Sequence, residues 1–192
     1  MKRFSFLFLA LVATMIAKAQ APATWSLDKG HANIGFAVTH MGLSEIYGTF
    51  GKFDATFTGA KDDFSDAVID MTAEATSINT GHEGRDKDLG GDKFFDFAKY
   101  PKFSFKSTSV AKVNGNQYKV MGDLTLKGVT KPISLTMTIN GPVDNPWNKK
   151  KNIGIIVRGS IKRNDFGIGA GMPAQMLSDD IQINASAEFL KG

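Results

Sequence analysis

Apolar and polar residues alternate along most of this chain with a period of two, the signature of strands that have one buried and one wet face. Ile34, Phe36 and Val38 alternate with Asn33, Gly35, Ala37 and Thr39, and Phe53, Ala55 and Phe57 with Asp54 and Thr56. Ile69, Met71, Ala73 and Ala75 oppose Asp70, Thr72, Glu74 and Thr76; Phe103 and Phe105 oppose Ser104 and Lys106. The pattern returns at Tyr118–Leu126, Ile133–Ile139, Ile153–Ile161 and Ile181–Phe189. This predicts eight strands, with Trp25–Asp28 as a ninth candidate. A parallel α/β sheet would show continuous apolar runs with helices between them. One-sided strands in this number either pack as two sheets or close on themselves, and closure alone removes every edge. The expected fold class is all-β and antiparallel, with a closed barrel favoured over a two-sheet sandwich.

Turn residues punctuate the strands at Asn114-Gly115-Asn116, Lys127-Gly128 and Asn140-Gly141-Pro142. One stretch breaks the alternation. Thr80-Gly81-His82-Glu83 has the form of a capping box with Thr80 as N-cap, and Gly90-Gly91 supplies a stop. A short polar helix is predicted there. The aromatic residues that follow, Phe94, Phe95, Phe97 and Tyr100, are expected to plug or roof the barrel.

The first nineteen residues stand apart from this pattern. Lys2 and Arg3 precede an apolar run from Phe4 to Ala17, and Ala17 and Ala19 form a small-residue cleavage signal. A signal peptide at 1–19 and one domain at 20–192 are expected, and with them export of the domain. This segment also carries most of the charge imbalance. The whole chain is +4, from 23 basic and 19 acidic residues; removing Lys2, Arg3 and Lys18 leaves 20 against 19. A near-neutral domain gives no basic footprint for nucleic acid, and none is expected as a partner. Cysteine is absent, which rules out disulfides and thiolate metal sites.

Catalytic motifs are missing as well. There is no Gly-x-Ser-x-Gly elbow and no Gly-x-x-x-x-Gly-Lys phosphate loop. His31 and His40 are nine residues apart, so on one regular strand they face opposite sides, and His82 falls in the helix cap. No metal site and no cofactor are expected. Arg85, Asp86 and Asp88 admit two readings: Arg85 turned toward a polar ligand head at the mouth, or paired with carboxylates to tie the helix to the rim. Arg163 and Asp165 carry the same ambiguity and lean to structure.

Several short motifs then recur in order: Asp28 and His31 leading into Ile34-x-Phe36-x-Val38-x-His40; Tyr47-Gly48-Thr49-Phe50; Ser77-Ile78-Asn79-Thr80 with Arg85-Asp86; Gly122-Asp123-Leu124-Thr125-Leu126-Lys127-Gly128; and Arg163-Asn164-Asp165-Phe166-Gly167. Together, from about Trp25 to Glu188, they resemble the YceI-like, lipocalin-like periplasmic proteins that bind polyisoprenoids. The resemblance implies an extended eight-stranded antiparallel, lipocalin-like β-barrel, with the short helical segment at its mouth and a tunnel for a long isoprenoid or similar lipid chain. Two departures touch the rim. Asp88 stands before Leu89 where the family usually has histidine, and Asp180-Ile181 stands where a Glu-Val pair is common.

The residues expected to line that interior are Ile34, Phe36, Val38 and Phe53 from the first strands, Met71, Phe103, Phe105 and Leu124 from the middle, and Leu135, Met137, Ile155, Val157 and Ile183 from the last, with Phe166 in the turn between. His40, Arg85 and Asp86 are the candidate head-group contacts. Fifteen Phe against three Tyr and two Trp leave most aromatic surface without a polar handle, which suits a lined cavity. A fully packed barrel would show the same alternation, so hollow and solid interiors stay open. The function expected is non-catalytic carriage of a long-chain apolar molecule, with transient membrane or membrane-protein contact; the alternatives are a solid stress-related barrel and a lipid-modifying enzyme.

Overall fold

A computed structural model describes residues 21–192; the expected signal peptide lies outside them. The elements are β1 (Ala23–His40), β2 (Ser44–Phe50), β3 (Phe53–Gly59), β4 (Val68–Glu74), β5 (Ile78–Asn79), α1 (Glu83–Leu89), β6 (Lys102–Asn114), β7 (Gln117–Leu126), β8 (Val129–Asp144), β9 (Lys151–Lys162) and β10 (Leu177–Lys191). All pairings are antiparallel, and β10 returns to β1, so the sheet closes.

Ten elements make eight barrel staves, because two staves are broken. β2 and β3 lie end to end along β1: residues 34–40 pair with β2, and residues 23–26 with β3. β4 and β5 likewise face β3 and β2 in succession, across a 3-10 turn at Ala75–Ser77. Trp25–Asp28 is therefore the first part of β1 rather than a ninth strand. A bulge between Asp28 and Ala32, where β1 changes partner, divides it from the rest. β2 was not evident from alternation because its inward position 48 is glycine, which breaks the apolar rhythm of Ile46 and Phe50.

Asn140-Gly141-Pro142 is not a turn. It is a bulge inside β8, with Gly141 at φ +98°, and β8 runs on to Asp144. Lys127-Gly128 does turn the chain, with positive φ at both residues, as a two-residue hairpin requires. The helix starts later than the capping box implied: His82 is the N-cap, and its Nδ1 accepts the Arg85 N–H at 3.1 Å. Thr80 has a different job, described below.

The two barrel ends differ. One gathers the 60–67 and 145–150 loops and the Gly115 turn; the other gathers the β1–β2 turn, α1 with the segment to Tyr100, and the 163–176 loop. At the first end Phe64 reaches inward from its loop and meets Trp25 and Phe57 edge-on, with ring centroids 6.0 and 5.6 Å apart. Phe189 lies 6.1 Å from Phe57, and the Tyr118 hydroxyl donates to the Asp63 carbonyl at 2.8 Å. Met137, Ile139 and Ile153 complete this buried cluster. The end is solid.

A candidate apolar binding cavity

Beyond that aromatic plug the barrel is hollow. A cavity of about 980 Å³ runs from Leu27 and Phe189 to the helix-bearing end, at the top of the ~300–1,000 Å³ range of ligand pockets. The inward positions of the staves form its wall. Ile34, Phe36 and Val38 of β1 face it, as do Phe53 of β3, Met71 of β4, Phe103 and Phe105 of β6 and Leu124 of β7. Leu135 of β8, Ile155 and Val157 of β9 and Ile183 of β10 complete the circuit. Phe50 packs between Phe36 and Phe103, with centroids 5.7 and 4.7 Å away, and Phe94 and Phe95 close over the wall from the segment after α1.

Two predicted wall residues lie elsewhere. Met137 is fully buried in the plugged end, one inward step along β8 past Leu135. Phe166 is buried in the 3-10 turn after β9, behind the mouth, while Ile168 and Met172 face the cavity in its place. Of the aromatic roof, only Phe94 and Phe95 face the cavity. Phe97 packs on Gly90, and Tyr100 packs on Gly128.

Three glycines explain how large residues line a lumen without filling it. A Cβ at Gly48 would stand 2.3 Å from the Phe36 ring, one at Gly122 2.4 Å from Phe105, and one at Gly159 2.5 Å from Leu135 Cδ2. Each bulky side chain lies back over a bare backbone on the adjacent stave. Real side chains do not approach that closely, so alanine at Gly48 or Gly159 would push its neighbour toward the lumen, whereas at Gly122 it would also meet the Lys106 carbonyl oxygen at 2.6 Å and force the backbone to shift.

Most of the polar groups stand at the mouth, where His40, Ser44, Arg85, Asp88 and Lys93 border the cavity; Asn33 and Ser186, paired across β1 and β10, border it lower in the barrel. Arg85 pairs with no carboxylate. Its Nε donates to Thr80 Oγ1 at 2.8 Å and its Nη2 to the Thr80 carbonyl at 2.7 Å; Nη1 has no hydrogen-bond partner among the described residues. Asp86 does not border the cavity. It accepts from the Thr80 N–H at 2.9 Å and from the Thr80 hydroxyl, and so fixes the residue that aims Arg85.

Arg163 is the polar residue that sequence reasoning undervalued. Its side chain is fully buried and meets no carboxylate. Instead it donates to the carbonyls of Ser178, Ile168, Gly169, Met172 and Leu177 at 2.6–3.1 Å and to Asn164 Oδ1. One guanidinium gathers the whole 163–178 loop at the mouth by binding five of its carbonyls, of which Gly169 also accepts the Met172 N–H at 3.1 Å.

The histidines do not converge. His40 borders the mouth, His82 caps α1, and His31 stands on the outer bulge. There its Nδ1 lies 3.0 Å from Asp28 Oδ2, and Glu188 brings a third potential ligand atom within 4.8 Å. The hydrogen bond with Asp28 raises the His31 pKa above the ordinary imidazole value and lowers that of Asp28. Asp180, at the second departure from the family pattern, lies outside the wall and binds Lys162 at 2.7 Å, while Ile181 faces the cavity.

The sequence matches the YceI-like domain family over residues 25–189. The chain belongs to that family. The protein YceI of Escherichia coli O157:H7 is 40% identical over 167 residues, covering 85% of this chain and 86% of the relative. Among solved structures, Burkholderia cenocepacia BcnA aligns with a TM-score of 0.77 at 22% identity, covering 84% of this chain and 98% of that one. A polyisoprenoid binding domain from Saccharophagus degradans, implicated in plant cell wall breakdown, aligns with a TM-score of 0.63 at 14% identity, covering 90% and 99%. Both structural likenesses fall on the closed barrel.

Proposed function

We propose that this protein is a non-catalytic carrier that holds one long apolar molecule, such as a polyisoprenoid, a quinone or a fatty chain, in its barrel. The observation that carries this reading is the cavity itself: apolar along its wall, closed by the Phe57–Phe64 plug and bordered by polar groups at the other end. An apolar tail fits the wall. A small polar or anionic head suits the free Arg85 Nη1 and the neighbouring Lys93. The polyisoprenoid-binding role named for the Saccharophagus degradans domain, on the same fold, supports a ligand of this class.

The energetics leave the head and the length of the tail to decide affinity. Burying sixteen methylenes gives about 13 kcal/mol gross at ~0.8 each. Association and ordering cost roughly 4–15 kcal/mol. For a C16 tail the balance runs from about 9 kcal/mol in favour of binding to about 2 kcal/mol against it, and a longer tail or an Arg85 contact moves it toward binding.

The leader at 1–19 supports export to the periplasm, where such a carrier would meet chains leaving or entering a bilayer. The test is native mass spectrometry of protein purified from its own host, followed by solvent extraction. An extractable apolar adduct is expected. Preparations that carry none and that bind neither a quinone nor a polyprenol would end the carrier reading.

A further inference from the structure

We propose that the mouth carries a membrane-docking lip, formed by Met41, Leu43 and Met176, across which the ligand passes directly between a bilayer and the cavity. This rests on the carrier reading above. Met41 is 52% exposed, Leu43 82% and Met176 48%, an unusual grouping for large apolar side chains on one rim. They act as one feature, because the Met41 N–H donates to the Met176 carbonyl at 2.9 Å and joins the two loops. Their immediate neighbours, His40 and Ser44 on one loop and Leu177 on the other, already border the cavity. The apolar surface thus continues from outside to inside.

The backbone favours a different residue where Met41 stands. Met41 and Gly42 are the central pair of a two-residue turn, closed by the Leu43 N–H to the His40 carbonyl at 3.0 Å, with φ of +54° and +69°. Asn, Asp or Gly suits the first of these positions, and an unbranched apolar side chain does not. Local folding does not account for a methionine there.

The occupant is a bilayer rather than a protein. Three side chains cover far less than the ~800 Å² per partner of a stable protein interface, whereas weak, reversible insertion of a few apolar groups suffices for exchange. Methionine also adapts to disordered acyl chains. The charged residues at this end are mixed, with Lys93 and Asp88 bordering the cavity and Glu45 and Asp179 next along the two lip-bearing segments, so the attraction is to hydrocarbon and not to anionic head groups. The opposite end differs: Trp147, 89% exposed, sits beside Lys149, Lys150 and Lys151 and would dock an anionic surface with the plugged end.

Three measurements on the intact protein test this. These are co-sedimentation with phosphatidylcholine vesicles, with and without phosphatidylglycerol; the rate of transfer of a self-quenched apolar fluorophore from those vesicles; and binding of the water-dispersed probe N-phenyl-1-naphthylamine. Leu43→Ser and Met41→Asn should each slow transfer by roughly tenfold, the worth of one buried apolar side chain. Probe binding should stay unchanged, and salt should have little effect. Met41→Asn suits the turn and should not unfold the protein, so its loss of transfer cannot be a folding defect. Unchanged transfer in both variants would overturn the lip. So would vesicle binding that needs phosphatidylglycerol and disappears in Trp147→Ala. If the wild type binds no naphthylamine, the carrier reading itself fails, and the lip with it.

Discussion

The two halves of this barrel are built from the same alternating strands and the same kinds of apolar residue, yet one is solid and the other is hollow. In the solid half, rings converge: Phe64 enters from a loop and Trp25, Phe57 and Phe189 meet it. In the hollow half, rings and branched chains lie flat, seated on glycines of the neighbouring staves. The stabilising forces differ accordingly. Close apolar packing holds the first half, whereas the mouth of the second relies on the hydrogen bonds of one buried arginine. Whether alternation produces a core or a lumen is thus decided by what stands opposite each large side chain, not by the alternation.

The largest expected effect comes from Arg163→Met, which removes the guanidinium bonds to five loop carbonyls, Gly169 alone keeping a backbone donor from within the loop. At about 1–3 kcal/mol for each buried group left unsatisfied, the 163–178 loop should melt locally. Hydrogen exchange should lose its protection there while the plugged end keeps its own. Uniform loss of protection in both halves would mean that the two are not energetically separable.

Phe57→Ala should cost about 3–5 kcal/mol in urea unfolding, the usual range for a buried Phe in a packed core. Leu135→Ala, on the cavity wall, should cost only about 1–2 kcal/mol, since the side chain already lacks neighbours on its lumen side. It should weaken apolar-probe binding instead. Met137→Ala, a single inward step away along β8, should follow Phe57. If Leu135 and Met137 behaved alike, the boundary between solid and hollow halves would be misplaced.

The smallest effect concerns the bulge where β1 passes from one partner strand to the next. His31 gains its bond to Asp28 on folding, so its contribution is complete below the ordinary imidazole value of 6.5 and fades as pH rises through its own higher pKa. Asp28 contributes above the ordinary 3.8, and that share also extends below it, fading as pH falls through its lowered value. NMR titration should find His31 titrating above 6.5 and returning toward it in Asp28→Asn. His31 is exposed and Asp28 only half-buried, so the change in stability should be slight. A His31 titration that ignored the Asp28 substitution would break the pairing.

Much of this was legible in the alternation. It marked all eight staves, and the inward positions from Ile34 to Ile183 fall on the cavity wall, apart from Met137 and Phe166. What it could not reveal has physical reasons. Period two assigns a face but carries no depth along the barrel, so Met137 and Leu135 read alike. Asn140-Gly141-Pro142 has turn chemistry, but a bulge satisfies the same dihedrals inside a strand. Arg163 reads as a rim charge because its partners are backbone carbonyls, which leave no mark in sequence. Thr80 was assigned to the cap because its hydroxyl fits one, and Asp86 competes for that same hydroxyl.

The glycine seats have a consequence for how such a barrel changes calibre. Strand number and shear set the outer diameter of a closed sheet, and neither shifts by small steps. The bore can. A single methyl at Gly48 or Gly159 displaces a whole Phe or Leu side chain into the lumen, which multiplies the volume of the substitution. Two positions on two different staves thus act as independent gauges along the passage. The outer barrel stays constant while each of them sets how thick a molecule can lie within.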